Sequence, residues 1–388
     1  MLLTPAWTRR TFLDAGLRAG LAAGWGAAAA CRRKRAEGFR GVACVALAED
    51  RALAVVDLLT FVLRQTIPLS CQPSSLLPHP LPDRPAAFTA GVTGDGAALL
   101  ERVDLLSRRS VARVFVGKSR PLVRAGLRGL LWTTAGEPKL RAWHADALRP
   151  GPQVNLAARV VDFDLSPLAP LACACLEGGL VQFADLAAGK VYQPVRAGVD
   201  ASAVRFRRDG RVALVACPSE SLLRVFDTPS RQLMIELPLA LRPDYLCMSA
   251  EGGQLFITGE GRDAVVIVYP YRTEIALTSL SGRMPRQMAC SEEPRYLFVS
   301  SPAAGSVTVF DVDTQKVVAV TGVGVEPGPI VITPDQQYAL VLNQGSGDIA
   351  VIRIASIRPG RARKAPLFTM IPVGGRPVAA FVLGGVYG

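Results

Sequence analysis

Histidine is almost missing from this chain of 388 residues, which has His79 and His144 and no other. Asparagine is as scarce, with only Asn155 and Asn343. The first shortage removes the usual general base of a metal-independent hydrolase. The second thins the amide oxygens that would join carboxylates around a divalent cation. His79 stands between two prolines in LLPHPLP and His144 takes a turn position filled by Asp in related segments, so both are expected to be structural. Catalytic triads, phosphate-cradling glycine loops and HExxH helices are missing as well, and no CxxCH supports a haem-linked electron-transfer protein. Beyond residue 30 no apolar run is long and unbroken enough to span a bilayer. Aromatics make up 6% and do not interleave with Lys and Arg as in nucleic-acid modules, so nucleic acid is disfavoured as a partner. The sequence therefore assigns no catalytic residue, no metal site and no cofactor.

What the chain does have is apolar bulk and positive charge. Half its residues are hydrophobic, enough for a large core, and 44 Lys and Arg against 32 Asp and Glu give a net charge of +12. That excess favours anionic partners or simple solubility. Eight cysteines resemble a disulfide set until they are placed. Setting Cys31 aside leaves seven, an odd number, and Cys44, Cys173, Cys175, Cys217, Cys247 and Cys290 lie in strand-like apolar runs where free cysteine packs as a small hydrophobe. Cys71, in a turn, is the reactive thiol to expect.

The strongest signal is a repeat. SVTVFDVDTQKVVAV at Ser306 to Val320, two strands about a polar turn at Asp311, has counterparts around Asp227 and Tyr269. Extended outward, equivalent turns fall at Asp57, Asp104, His144, Asp185, Asp227, Tyr269, Asp311 and Arg353, separated by 47, 40, 41 and then four times 42 residues. Each unit adds a Gly/Pro lead-in, a first strand, a charged tight turn such as TPDQQ at Thr333 to Gln337, and an apolar second strand. Four antiparallel strands in such a period make a propeller blade. The expected fold is an all-β propeller over residues 39–388 with eight blades, or seven if the weak unit at His144 forms no full sheet. The lead-in and first strand recur once more at Val373 to Leu383, whereas the unit at Asp57 begins without them. The C-terminal strand should therefore complete the first blade, removing two sheet edges.

The N-terminus reads as an address. Arg9, Arg10, Phe12 and Leu13 in TRRTFL, ahead of an Ala/Gly-rich run, resemble a twin-arginine export signal over residues 1–30. Cys31 closes AAAAC where a lipobox carries its acylated cysteine, and residues 31–38 would be a basic tether at a membrane surface. A periplasmic or cell-envelope location, lipid-anchored, follows as an expectation.

VTVFDVDTQKVVAV, led in through a Gly-to-Pro loop and a charged turn, resembles the YVTN-type propeller repeat and is similar to YncE-like and lactonase-like propellers; the YVTN positions here read LFVS, LFIT and LVLN. The resemblance implies fold more than activity. Positive charge recurs in the lead-in loops, at Arg120, Arg242, Arg283 and Arg376, which would lie at one mouth of the central channel and could bind an anionic ligand or an acidic loop of a partner. Outward-pointing, solvated arginines are the alternative there. The first functional expectation is a non-enzymatic binding or scaffold module for a protein or envelope partner. The second is a lactone hydrolase acting at the mouth, and a third a quinone-linked or electron-transfer propeller. Three or more convergent acidic groups would favour a metal hydrolase, and an acid-poor, Arg-lined mouth would favour binding. The basic loop RPGRARK at Arg358 to Lys364 is expected to be solvated.

Overall fold

The computed structural model describes residues 38–81, 84–357 and 366–385. The export signature at Arg9, Arg10, Phe12 and Leu13, Cys31 with its tether, and the RPGRARK loop lie outside the described residues.

The repeated phrase folds the way its pattern dictates. In blade 7, Tyr296–Ser301 and Ser306–Asp311 pair antiparallel, with Tyr296 opposite Asp311 and Ser301 opposite Ser306. The next turn depends on Asp311, whose Oδ1 accepts the Thr314 N–H at 2.7 Å and the Thr314 hydroxyl at 2.9 Å. Asp227 does the same with Ser230, at 2.8 and 2.5 Å, and Asp104 with Ser107, at 2.6 and 2.8 Å. A short carboxylate that folds back on the backbone closes a tight turn, which is why Asp recurs there.

Eight antiparallel sheets result, each a meander with the first strand innermost except blade 1, where the C-terminal strand takes that place. The middle strands are buried on both faces, and alternate residues serve different neighbours. In Gly41–Leu47, Val42, Cys44 and Ala46 pack towards blade 2, against Leu76, Ala87 and Val103. Ala43, Val45 and Leu47 pack towards blade 8, against Leu340, Leu342 and Val351. Strand periodicity of two thus becomes a continuous ring of blade interfaces. The outermost strands alternate between exposed and half-buried, as in Arg109–Gly117.

Closure follows the expected route. Blade 1 runs Val62–Pro68, Ala52–Asp57, Gly41–Leu47 and then the C-terminal Pro377–Gly384. Cys44 faces Phe381 in that last pairing, and the Ala48 N–H donates to the Arg376 carbonyl at 2.8 Å. The unit at His144 forms a complete four-stranded sheet as blade 3. The irregular blade is the fourth, whose outer strand is split into Lys190–Val191 and Val195–Arg196. Pro194 lies in the interruption and cannot donate to a ladder. Buried Gln182 fills the gap, donating to the Tyr192 carbonyl and accepting from the Ala157 N–H, both at 2.8 Å.

One expectation is corrected. Cys71 is fully buried, and burial together with the nearby Glu101 carboxylate pushes its thiol up to about 12. A thiol held protonated inside the wall between blades is not a reactive one.

Candidate functional site

Inner strands begin at one mouth of the channel and carry their lead-in loops there. In blade 6 the inner strand Arg242–Met248 pairs with Leu255–Glu260, and the register slips between Pro243 and Tyr245. The slip leaves Asp244 unpaired, a bulge that re-aims a side chain at a sheet edge. Gly259 permits it, since a Cβ there would lie 1.8 Å from the Arg242 carbonyl oxygen. Blade 2 repeats the device, with Gly91 packed against Gln72 and the register slipping between Pro73 and Ser75.

The lead-in to blade 7 is clamped from both sides. The Arg286 N–H donates to the Ser300 carbonyl at 2.9 Å, and its own carbonyl accepts the Thr258 hydroxyl of blade 6. The Met284 N–H donates to Asp263 at 2.8 Å and the Gln287 N–H to the Ser300 hydroxyl at 3.2 Å. Arg286 is thereby fixed where two cavities meet. One, of about 310 Å³, is bordered by Asp244, Tyr245, Glu260, Asp263 and Arg286. The other, of about 360 Å³, is bordered by Tyr245, Arg286, Gln287, Glu326, Gln344 and Arg376.

The electrostatics of this mouth are mixed. Arg376 meets Glu326 at 3.1 Å and Gln344 at 3.3 Å, tying the closing strand's lead-in to blade 8. Burial holds the Asp244 carboxyl above its ordinary range, against the pull of the Arg286 guanidinium. Burial and the Asp244 charge also raise the Tyr245 phenol, while Arg286 and Arg120 oppose the rise. The Arg120 contribution matters geometrically. Arg120 precedes the inner strand of blade 3, Leu122–Ala125, and Tyr245 belongs to blade 6, so the two act on each other across the channel.

Of the four arginines singled out in the sequence, Arg376 lines the larger cavity and Arg120 is exposed within electrostatic reach of Tyr245. Arg242 is exposed at the head of its strand, opposite Glu260 in register. Arg283 is exposed and borders neither cavity; the cavity-lining arginine of GRMPR is Arg286, beside Met284 and Pro285. The mouth is not acid-poor, yet among the described residues no three His, Cys, Asp or Glu converge as metal ligands. His79 is buried in blade 2, its Nδ1 accepting the Leu81 N–H at 3.1 Å, and His144 is exposed at the end of Lys139–His144. Neither borders these cavities.

Lower in the channel a second charged set faces itself. Asp162 accepts Arg124 at 2.8 Å, Arg205 at 3.1 Å and the Val204 N–H at 3.1 Å, so one carboxylate binds the inner strands of blades 3, 4 and 5. A third cavity, about 330 Å³ between blades 3 and 4, is apolar and bordered by Trp132, Leu165, Pro170 and Leu186. It lacks the converging polar groups that mark an oriented ligand site.

No protein-family model matches the chain, and no curated protein sequence matches it. Solved structures do. The dihydro-heme d1 dehydrogenase NirN, in complex with DHE, superposes with a TM-score of 0.71 at 16% identity, covering 92% of this chain and 78% of that one. A computationally designed protein, Ika8, gives 0.63 at 10% identity over 80% of this chain and 90% of its own. Hydrazine synthase of Kuenenia stuttgartiensis gives 0.54 at 14% identity over 66% and 87%. Likeness at these identities is likeness of fold. The class of protein defined here is an eight-bladed β-propeller closed by its own C-terminal strand.

Proposed function

We propose that this propeller is a binding module whose mouth receives an anionic group, a carboxylate or phosphate borne by a small molecule or by an acidic segment of a protein or envelope partner. The supporting observation is that Arg286 and Arg376 border one cavity together with the amide side chains of Gln287 and Gln344 and the phenol of Tyr245. Guanidinium forks flanked by neutral donors match carboxylate and phosphate oxygens. Glu326 holds Arg376 until a stronger anion displaces it. NirN is likewise solved with a molecule bound, which makes ligand binding a use to which a fold of this shape is put. We place the protein in the cell envelope, exported through Arg9 and Arg10 and anchored through Cys31, within the YVTN-type group its repeat resembles. Calorimetry with polycarboxylates and phosphate esters tests the mouth. Binding should weaken at least about tenfold in Arg286→Ala/Arg376→Ala, the loss of two charge-assisted contacts. Unchanged affinity for every anion that the parent chain binds would refute the site.

One observation favours a second reading, lactone hydrolysis at the same mouth. Asp244 is a cavity carboxyl that burial holds above its ordinary value, the direction in which a general base is tuned. Turnover of sugar lactones that disappears in Asp244→Asn would establish that reading in place of the first.

A further inference from the structure

Among the described residues the cysteines divide into two populations. Cys44, Cys71, Cys173, Cys175 and Cys217 are fully buried. Cys247 and Cys290 keep partial exposure, and their sulfurs lie 3.9 Å apart although 43 residues separate them. The repeat explains the meeting. Ser249 and Ser291 are equivalent, each donating its N–H across the tight turn, to Gln254 and Tyr296 respectively, so blades 6 and 7 are offset by 42 residues. A separation of one residue more than the period puts the two thiols on opposite sheet faces, and opposite faces of neighbouring blades look at each other. Cys247 is the last residue but one of the inner strand of blade 6 and Cys290 the last of that of blade 7, above the shared packing of Phe256, Val265, Leu297 and Phe310.

We propose that Cys247 and Cys290 form a dithiol site for disulfide oxidants and close into a disulfide that staples blade 6 to blade 7. Bonded sulfurs sit about 2.05 Å apart, so the pair closes by side-chain rotation from 3.9 Å. Cys247 is the attacking sulfur. The two thiols share a hydrogen bond and the Arg205 guanidinium lies in electrostatic reach; together these hold the Cys247 thiol below its ordinary value against the opposing effect of burial, while Cys290 is pushed up. The Cys247 thiolate attacks a disulfide such as oxidised glutathione, forming a mixed disulfide and expelling one glutathione thiolate. Cys290 then loses its proton to solvent and its sulfur displaces the second glutathione. Two protein thiols are oxidised, one external disulfide is reduced to two thiols, and two protons are accounted for.

The full chain is incubated folded with oxidised glutathione, the remaining thiols are alkylated, and peptides are mapped by mass spectrometry with and without reductant. The expected product joins the peptides of Cys247 and Cys290, lacks two hydrogens relative to their sum, and is reversed by dithiothreitol. Cys290→Ser should instead accumulate a stable glutathione adduct at Cys247, with circular dichroism confirming that the variant is folded. Recovery of both cysteines as alkylated free thiols from the oxidised parent, or a lasting glutathione adduct on Cys247 in the parent, would overturn the proposal.

Discussion

Blades 3 to 5 and blades 6 to 1 line the same channel and treat charge in opposite ways. In the first group Asp162 is saturated by Arg124, Arg205 and a backbone N–H, and the carboxylate is nearly buried. Its partners come from three consecutive blades, so the network holds the ring together and leaves nothing for a ligand. In the second group the charged side chains sit at the mouth, partly or largely exposed. Arg376 is shared between a carboxylate and an amide, and Arg286 stands beside the bulge at Asp244 with cavities on both sides. The same residue types thus serve cohesion where they are desolvated and mutually satisfied, and recognition where they are left partly open.

The largest expected effect comes from removing what joins the two regions. Deleting residues 377–388 strips blade 1 of its inner strand, exposes Phe381's packing partners around Cys44 and Leu76, and opens two sheet edges. The truncated chain should unfold or self-associate, and any residual hydrogen-exchange protection should survive in blades 3 to 5. A truncated monomer melting like the full chain would break the closure. Next comes Asp162→Ala, which removes the carboxylate that bridges Arg124 and Arg205 and leaves the neighbouring Asp164 carboxyl as the acidic group still acting on both. It should cost about 2–4 kcal/mol in denaturant unfolding, the range for breaking a mostly buried hydrogen-bonded charge network, and should leave anion affinity at the mouth within about twofold.

Much of the ring was legible because its cause is one-dimensional. A period near 42 residues, Asp at the turn and a spare strand at Val373 to Leu383 state the blade, the count and the clasp directly. The unit at His144 counts as a full blade, as the eight-blade reading requires: His144 breaks the Asp turn pattern without breaking its sheet, whereas Pro194 lies where a strand of the next blade is split. The sites were less legible because they form between blades. Arg286, Tyr245 and Gln344 meet through strand phase, bulges and loop clamps that no single repeat displays. Cys247 and Cys290 were readable in principle, from a spacing one residue longer than the period, but only after sheet faces are assigned to neighbours. Of the arginines singled out in the lead-in loops only Arg376 borders a cavity, and Arg286, three residues beyond Arg283, does so in its place; the acidic companions Asp244, Glu260 and Glu326 are scattered across the repeat and gave no local pattern.

Arg286→Ala/Arg376→Ala sharpens the comparison from the other side. Exposed or half-exposed arginines at a rim add little to stability, so unfolding free energy should move by less than about 0.5 kcal/mol. Affinity for a bound polycarboxylate should fall by roughly 2 kcal/mol, about thirtyfold, and the loss should shrink at high salt. A large stability change with intact affinity would place these arginines with the cohesive set around Asp162.

The smallest expected effect has a definite sign. Asp244 carries a folded-state value above its unfolded one, because burial at the bulge disfavours its charge and Glu260 adds to that while Arg286 opposes it. Such a group contributes its stabilisation below the ordinary aspartate value near 3.9 and loses it as pH rises through the folded value. At neutral pH the native state therefore holds an unfavourable carboxylate, and Asp244→Asn should be slightly more stable than the parent. The gain should stay under about 0.5 kcal/mol, since the side chain reaches solvent at the rim and screening discounts the burden. In thermal melts from pH 3 to pH 7, the variant's advantage should be absent at the acid end and grow upward. A variant that loses stability with rising pH relative to the parent would show instead that the Asp244 carboxylate is held by Arg286 as firmly as Asp162 is held by its two arginines, and the contrast between mouth and wall would vanish.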